Sequence, residues 1–467
     1  MLFPTFTFAV FFAVVLAGHW TLCGRRTPHR LFLLAASYLF YGWWDWRFLG
    51  LIGLVTLVNQ ICAWAVHLHR DDRRLVRTWT AGAIGADLVL LGFFKYYDFF
   101  AQSLGDALGS VGAPTPPLLH IVLPVGISFF TFQAMSYVID VQRDEQRPAA
   151  LIDFALYLAF FPQLVAGPIV RASEFLPQLR RVAERRNDIQ LSRAAVLIAV
   201  GLFKKTVVSS YVASQIVDPV FASPERHSAF ETLLGVYGYA VQIYADFSGY
   251  TDIAIGIALL MGFEFPQNFN RPYAATSIQD FWRRWHMTLS NWLRDYLYIG
   301  LGGNRRGRDR RELNLLATMV LGGLWHGAAW TFVVWGFIHG GGLAVERRLT
   351  EHYGRSLSPW FGRFVTFHFV CLGWVFFRAP TLSGAFDVLG RFGSGWTAPS
   401  PAVTAVLVAL VALALATQLV PSTATRPLLA RLETLPVGAL AVGFGAVLML
   451  VDVFGPEGVA PFIYFQF

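Results

Sequence analysis

The chain is poor in charge. Asp, Glu, Lys and Arg make up 14% of its 467 residues, where a soluble domain carries about a quarter. That shortage excludes an ordinary water-soluble globule. Lysine is almost missing: Lys95, Lys204 and Lys205 are the only three, and all sit in apolar runs. Cysteine is equally scarce. Cys23, Cys62 and Cys371 are an odd number without paired spacing, which excludes a disulfide framework and a CxxC metal motif. There is no P-loop, GxSxG or HExxH sequence. No repeat of 20–50 residues and no long linker is visible, so one integral domain over residues 1–467 is the simplest organisation.

What is present is apolar. Hydrophobic residues form 55% of the chain and mean hydropathy is +0.50. Apolar runs recur from end to end, many near the ~20 residues that cross a bilayer. The expected spans are 4–23, 31–45, 49–66, 78–100, 118–141, 151–169, 194–217, 230–262, 313–335 with a continuation to 345, 358–378, 402–420 and 436–456. The chain therefore reads as an all-α polytopic membrane protein. The first run is too long and aromatic for a cleaved signal, and "GRRTPHR" follows it directly, so it is expected to remain as a span.

Net charge is +8, carried mainly by arginines in short loops. These lie at 24–30, 67–77, 143–147, 171–193, 305–311 and 346–355, and by the positive-inside rule they face the cytoplasm. The loop at 101–120 has neither Lys nor Arg and is expected outside. No basic, aromatic-bearing soluble domain exists to carry nucleic acid. Residues 148–170 form one apolar run between two basic loops, which suggests a segment that dips in and returns. Glu312–Val345 is also flanked by basic residues and predicts a hairpin or broken helix. His326 lies 15 residues past Arg311, roughly 20 Å along a helix and near the turn.

A titratable group this deep in apolar sequence is costly, so a functional role is the default. His326 stands in "GGLWHGAAW" among Gly322, Gly323 and Gly327, which permit close backbone approach. Trp325 and Trp330 can wall a pocket. A neutral imidazole there is suited to general base work; a structural hydrogen bond is the bland alternative. His339, thirteen residues on, is expected to serve helix packing.

The second constellation is "SIQDFWRRWHMTLSNWLRDYLYIGLGGNRRG", 277–307. Spacings of three and four place Phe281, Trp282, Trp285, Leu289, Trp292, Leu293 and Tyr296 mostly on one face. Ser277 before Asp280 resembles a capping box. Arg283, Arg284, Arg294 and Asp295 make the stretch too polar to span, so it reads as an interfacial amphipathic helix. Either it merely meets headgroups, or His286 faces the cavity of His326 with the arginines near an anionic donor. In "YADFSGYTDIAIG", Asp246 and Asp252 are intramembrane carboxylates suited to a site or a proton path. "FPQNFNRPY" is a helix-ending loop with Pro266 and Pro272 as breakers. Lys95 and Asp98 are expected to neutralise each other, and Lys204 with Lys205 to snorkel.

Several stretches together resemble the membrane-bound O-acyltransferase family, its alginate O-acetyltransferase branch in particular. They are "LGFFKYYDFF" at 91–100, "LPVGISFFTFQAMSYVIDVQR" at 123–143, "FFPQLVAGPIVR" at 160–171, "GLFKK" at 201–205, "YADFSGYTDIAIGIA" at 244–258, "NFNRPY" at 268–273, "DFWRRWHMTLSNWLRDYLYIGLGGNR" at 280–305 and "GLWHGAAWTFVVWGFIHG" at 323–340. The resemblance covers about residues 90–345, with residues 356–467 divergent.

It implies about eleven membrane helices, with re-entrant and interfacial segments around a central funnel. The family's catalytic histidine falls on His326, and its second histidine on His286. Trp325, Trp285, Arg283, Arg284, Arg294, Asp295, Asn304 and Asp246 are the candidates for binding donor or substrate. The resemblance further implies a cytoplasmic thioester donor such as acetyl-CoA, with no bound cofactor and no metal. The acceptor would be an extracytoplasmic polysaccharide hydroxyl or a partner protein of SGNH type, in the bacterial cytoplasmic membrane. A D-alanyl-transferring branch shares both histidines; "GLGGNRRG" at 300–307 favours acetyl transfer. A transporter is the reading from another class, motivated by Asp246 and Asp252.

Overall fold

The computed structural model of the protein describes residues 1–305, 307–354, 357–393, 395–397, 400 and 403–454. Arg306 and Arg355 of the expected basic loops, residue 402 and residues 455–456 of the expected spans lie outside the described residues. Every regular element among the described residues is helical. Among the described residues, five helices are long and apolar enough to cross a membrane: Phe48–Leu68, Arg73–Gly109, Leu191–Ala222, Ala229–Leu260 and Pro359–Arg378. Several other expected spans are shorter, including Phe6–Leu22 and Ile127–Gln142. The chain divides into two compact units, one of residues 1–190 with 257–266 and one of residues 191–256 with 267–467.

In the first unit an aromatic cluster of Phe8, Phe11, Phe40 and Phe161 forms part of the core. The 148–170 stretch, expected to dip in and return, folds as a nine-residue helix, Leu151–Ala159, and one turn, Phe161–Leu164. Nine residues rise only about 14 Å, less than half a bilayer core. The irregular backbone beyond is buried in protein, where polar side chains meet it. Tyr157 Oη donates to the Val170 carbonyl at 2.9 Å and Gln133 Nε2 to the same oxygen at 3.3 Å. The expected Lys95–Asp98 pairing is replaced by longer-range partners. Lys95 donates to Ser128 Oγ at 3.1 Å, while Asp98 accepts the backbone N–H groups of Leu119 and Ile121 at 2.8 Å each.

In the second unit the Leu191–Ala222 segment contains two π-helical stretches, Phe203–Ser209 and Ala213–Val217. It crosses the Ala229–Leu260 helix with almost no space between backbones. A Cβ on Gly201 would sit 2.6 Å from the Gly249 carbonyl oxygen, and one on Gly249 would sit 2.7 Å from that of Gly201. Small residues at such a crossing are what allow helices to pack closely in lipid. The same crossing corrects the snorkelling expectation. Lys205 Nζ binds Asp246 Oδ1 at 2.5 Å and Lys204 Nζ binds Asp252 Oδ2 at 2.6 Å. The lysines turn inward because carboxylates on the neighbouring helix offset the cost of burying them.

The Glu312–Val345 region is a helical hairpin. Arg308–His326 and Trp330–Tyr353 run antiparallel, with Gly336 against Met319 and Gly340 against Leu316. At its open end Arg311 pairs with Glu351 at 3.0 Å and Arg348 pairs with Glu312. These arginines hold both carboxyls below the usual range. His326 is the last residue of the first helix, at the turn.

Candidate active site

The turn itself is set by residues without side chains. Gly327 leaves the helix in extended backbone, φ −159°, and a Cβ there would lie 2.1 Å from the Phe332 ring. A Cβ on Gly323 would lie 2.3 Å from the Phe332 carbonyl oxygen. Gly322 is less constrained, its nearest atom being Leu293 Cδ1 at 3.2 Å. With the turn pressed onto Phe332, the His326 ring is 4% exposed. It stands edge-on to Trp335 at 5.1 Å between ring centres, to Phe377 at 5.3 Å and to Trp325 at 5.0 Å.

Trp335 and His339 are four residues apart on the second hairpin helix, so they share a face. Their rings are 4.9 Å apart, and Trp282 lies 5.2 Å from His339. His339 is fully buried, and among the described residues neither ring nitrogen has a hydrogen-bond partner. The indole N–H groups of Trp335 and Trp282 are likewise buried without acceptors. Trp325 continues the series to His286, 6.0 Å away. Three histidines are thus threaded on tryptophans in the order His286, Trp325, His326, Trp335, His339. Trp330, expected as a second wall, is instead 52% exposed.

The 277–307 stretch is not one interfacial helix. It is two short helices, Ile278–Trp282 and Met287–Trp292, followed by a π-helical turn, Leu293–Tyr298. His286 interrupts it with φ +41°, a left-handed conformation uncommon outside glycine. The break is stabilised from the "NFN" loop. Met287 N–H donates to the Asn268 carbonyl at 2.9 Å, and Asn270 N–H to the Arg284 carbonyl at 2.9 Å. Periodicity missed this because both halves bury their aromatic faces, and the break depends on a segment eighteen residues earlier. His286 itself is fully buried, edge-on to Phe247 at 4.7 Å. Its Nδ1 meets Asn268 Oδ1 at 3.1 Å.

The remaining sequence candidates are dispersed. Trp285 is buried 5.0 Å from both Phe269 and Trp374, a packing position. Arg283 is exposed. Arg284 Nε donates to Asp280 at 2.8 Å, and Arg294 Nε to the adjacent Asp295 at 2.6 Å. Asn304 is exposed and accepts from Tyr298 Oη at 2.6 Å. Asp246 is committed to Lys205. Sequence reasoning did not single out Trp335 or Phe377, which are indistinguishable there from other aromatics in apolar runs.

The family model of the membrane-bound O-acyltransferases matches residues 127–378, which contain all of this arrangement. The chain is 41% identical over 403 residues to the probable alginate O-acetylase AlgI of Pseudomonas aeruginosa, covering 84% of this chain and 76% of that one. It is 37% identical over 418 residues to a peptidoglycan O-acetyltransferase of Helicobacter pylori, covering 83% and 78%. A teichoic acid D-alanyltransferase of Streptococcus thermophilus is 30% identical over 280 residues, covering 54% and 68%. A histidine seated at the turn of a glycine-closed hairpin, inside a multi-pass helical protein, stands within that match, and the chain belongs to the membrane-bound O-acyltransferase family.

Proposed function

We propose that this enzyme transfers an acetyl group from a cytoplasmic thioester, acetyl-CoA, to a hydroxyl on the outer side of the bacterial cytoplasmic membrane. The acceptor is a polysaccharide, or a serine of an extracytoplasmic SGNH-type partner that completes the transfer. The protein acts as one integral membrane domain and holds no resident cofactor. The placement of His326 carries the reading: a buried imidazole ringed by aromatics in a water-poor site is suited to general base work. The balance of relatives supports acetyl over D-alanyl transfer, since the O-acetylating relatives match at 37–41% over 83–84% of the chain. Teichoic acid D-alanyltransferases match at 26–30% over 54–63%.

In this reading His326 takes the acceptor's hydroxyl proton as the oxygen attacks the thioester carbonyl. A C–O bond forms and the carbonyl becomes a tetrahedral oxyanion. Trp335 Nε1, buried without an acceptor beside His326, supplies a donor to that charge. Collapse breaks the C–S bond, and the leaving thiolate takes the proton from His326. Arg284 and Arg294 already face Asp280 and Asp295, which leaves exposed Arg283 as the arginine for donor phosphates. His286 is the second histidine of the site.

The test expresses wild type, His326→Ala and His286→Ala in a host lacking its own enzyme and measures ester-linked acetate on surface glycans. Both variants are expected to lose acetylation while reaching the membrane folded. A folded His326→Ala protein with full acetylation would remove the proposed base.

A further inference from the structure

The hydrogen bonds around Asn268 decide which nitrogen of His286 carries the proton. Asn268 Oδ1 receives three groups: Thr288 N–H at 3.3 Å, Thr288 Oγ1 at 2.9 Å and His286 Nδ1 at 3.1 Å. A backbone N–H can only donate, so the atom it meets must be the amide oxygen. Turning the amide over would set its NH2 against that N–H, donor against donor. With the oxygen fixed, the imidazole nitrogen facing it must also donate. His286 is therefore protonated on Nδ1, and Nε2 carries the lone pair. Nε2 is buried and has no hydrogen-bond partner among the described residues. Asn268 is 1% exposed and its backbone carbonyl is tied to Met287 N–H at 2.9 Å, so the amide has little freedom to reorient. The left-handed backbone at His286 fits the same picture, since strained residues persist where the surroundings over-determine them.

We infer that Asn268 is a positioning residue which locks His286 as the Nδ1–H tautomer, so that His286 presents to substrate a hydrogen-bond acceptor and binds a hydroxyl or thiol proton rather than an oxyanion. This rests on the acyl-transfer reading of the site and adds a division of labour to it. His286 receives the proton-bearing group, and the indole of Trp335 faces the developing negative charge. An amide at 268 is required because it must accept twice from Thr288 and once from His286 without bringing a charge that would favour imidazolium.

The experiment uses full-length protein labelled with 13C,15N-histidine in liposomes, with the His286 signals assigned by their loss in His286→Asn. Solid-state NMR distinguishes the two neutral tautomers and imidazolium without turnover. Wild type should show the Nδ1–H form at His286, and Asn268→Leu should lose that single form. In acetyl transfer from acetyl-CoA to a soluble hydroxyl acceptor, Asn268→Leu should lower kcat about 100-fold with little change in KM for the thioester. Asn268→Asp keeps the three-way acceptor, so it should retain Nδ1–H and recover activity at high pH. Its carboxylate favours the imidazolium, so activity is lost as pH falls through a value about one unit higher than in wild type. Nε2–H at His286 in wild type, full activity in Asn268→Leu, or an unmoved acid limb in Asn268→Asp would each overturn the inference. Wild type without any acetyl transfer would overturn the functional reading instead, because the tautomer is read separately.

Discussion

Gly327 needs to be glycine for a spatial reason only. Its φ of −159° suits any residue, but a Cβ would fall 2.1 Å from the Phe332 ring, well inside van der Waals contact. Gly327→Ala must push Phe332 or the hairpin turn away, and overpacking of this kind costs about 1–3 kcal/mol. Because His326 is the preceding residue, the displacement moves the imidazole relative to Trp335. The expected result is a lower thermal midpoint in detergent and loss of acetyl transfer. Gly327→Ala combined with Phe332→Ala removes the clash and should regain part of the activity; no recovery would show that the glycine acts through something other than space. At this scale the sequence was readable where a residue was costly in its own local surroundings. His326 and His286 stand out because a polar ring in an apolar run needs a reason. Asn268, Lys204 and Lys205 were unreadable because their meaning lies in partners 18 to 48 residues away.

Elements were readable where flanking charge marked their ends. An apolar run with basic residues at both ends implies a chain that returns, and a hairpin is present at Arg308–Tyr353. Its helices of 19 and 24 residues are longer than the 34-residue run between the basic flanks suggests. The 277–307 stretch misled because its three-and-four spacing fits a continuous helix, while tertiary contacts from residues 268–270 break it at His286. The Leu191–Ala222 and Ala229–Leu260 helices show what apolar periodicity cannot supply, namely a buried ionic fastening at a glycine crossing. Lys205 and Asp246 are 3% and 7% exposed as side chains. Removing one partner of such a pair strands the other, at about 3–5 kcal/mol, whereas replacing both with apolar groups is often close to neutral. Lys205→Met or Asp246→Leu alone should therefore sharply reduce folded yield and thermal midpoint, and the double variant should stand above either single one. Additive losses in the double variant would mean that the two side chains do not depend on each other.

Arginine placement gives an expected sidedness for each unit. Within the first unit the Arg73–Gly109 helix has 37 residues, a rise of about 55 Å against the ~30 Å hydrocarbon core. That length suits a crossing with its two ends on opposite faces, and by the positive-inside rule we propose that the end beside the basic 67–77 loop is the cytoplasmic one. Within the second unit Arg311–Glu351 and Arg348–Glu312 join the two ends of the hairpin, so both ends share a face, which the positive-inside rule proposes to be cytoplasmic. The three native cysteines are all buried, which leaves a quiet background for labelling introduced thiols. Ser110→Cys, exposed beyond the Arg73–Gly109 helix, should react with a membrane-impermeant maleimide in intact spheroplasts. Asp71→Cys and Arg310→Cys, also exposed, should react only after lysis. Labelling of Arg310→Cys from outside would detach the hairpin's open end from the cytoplasm and with it the proposed entry of a cytosolic thioester. Labelling of Asp71→Cys and Ser110→Cys from one side would mean that the longest apolar helix does not cross at all.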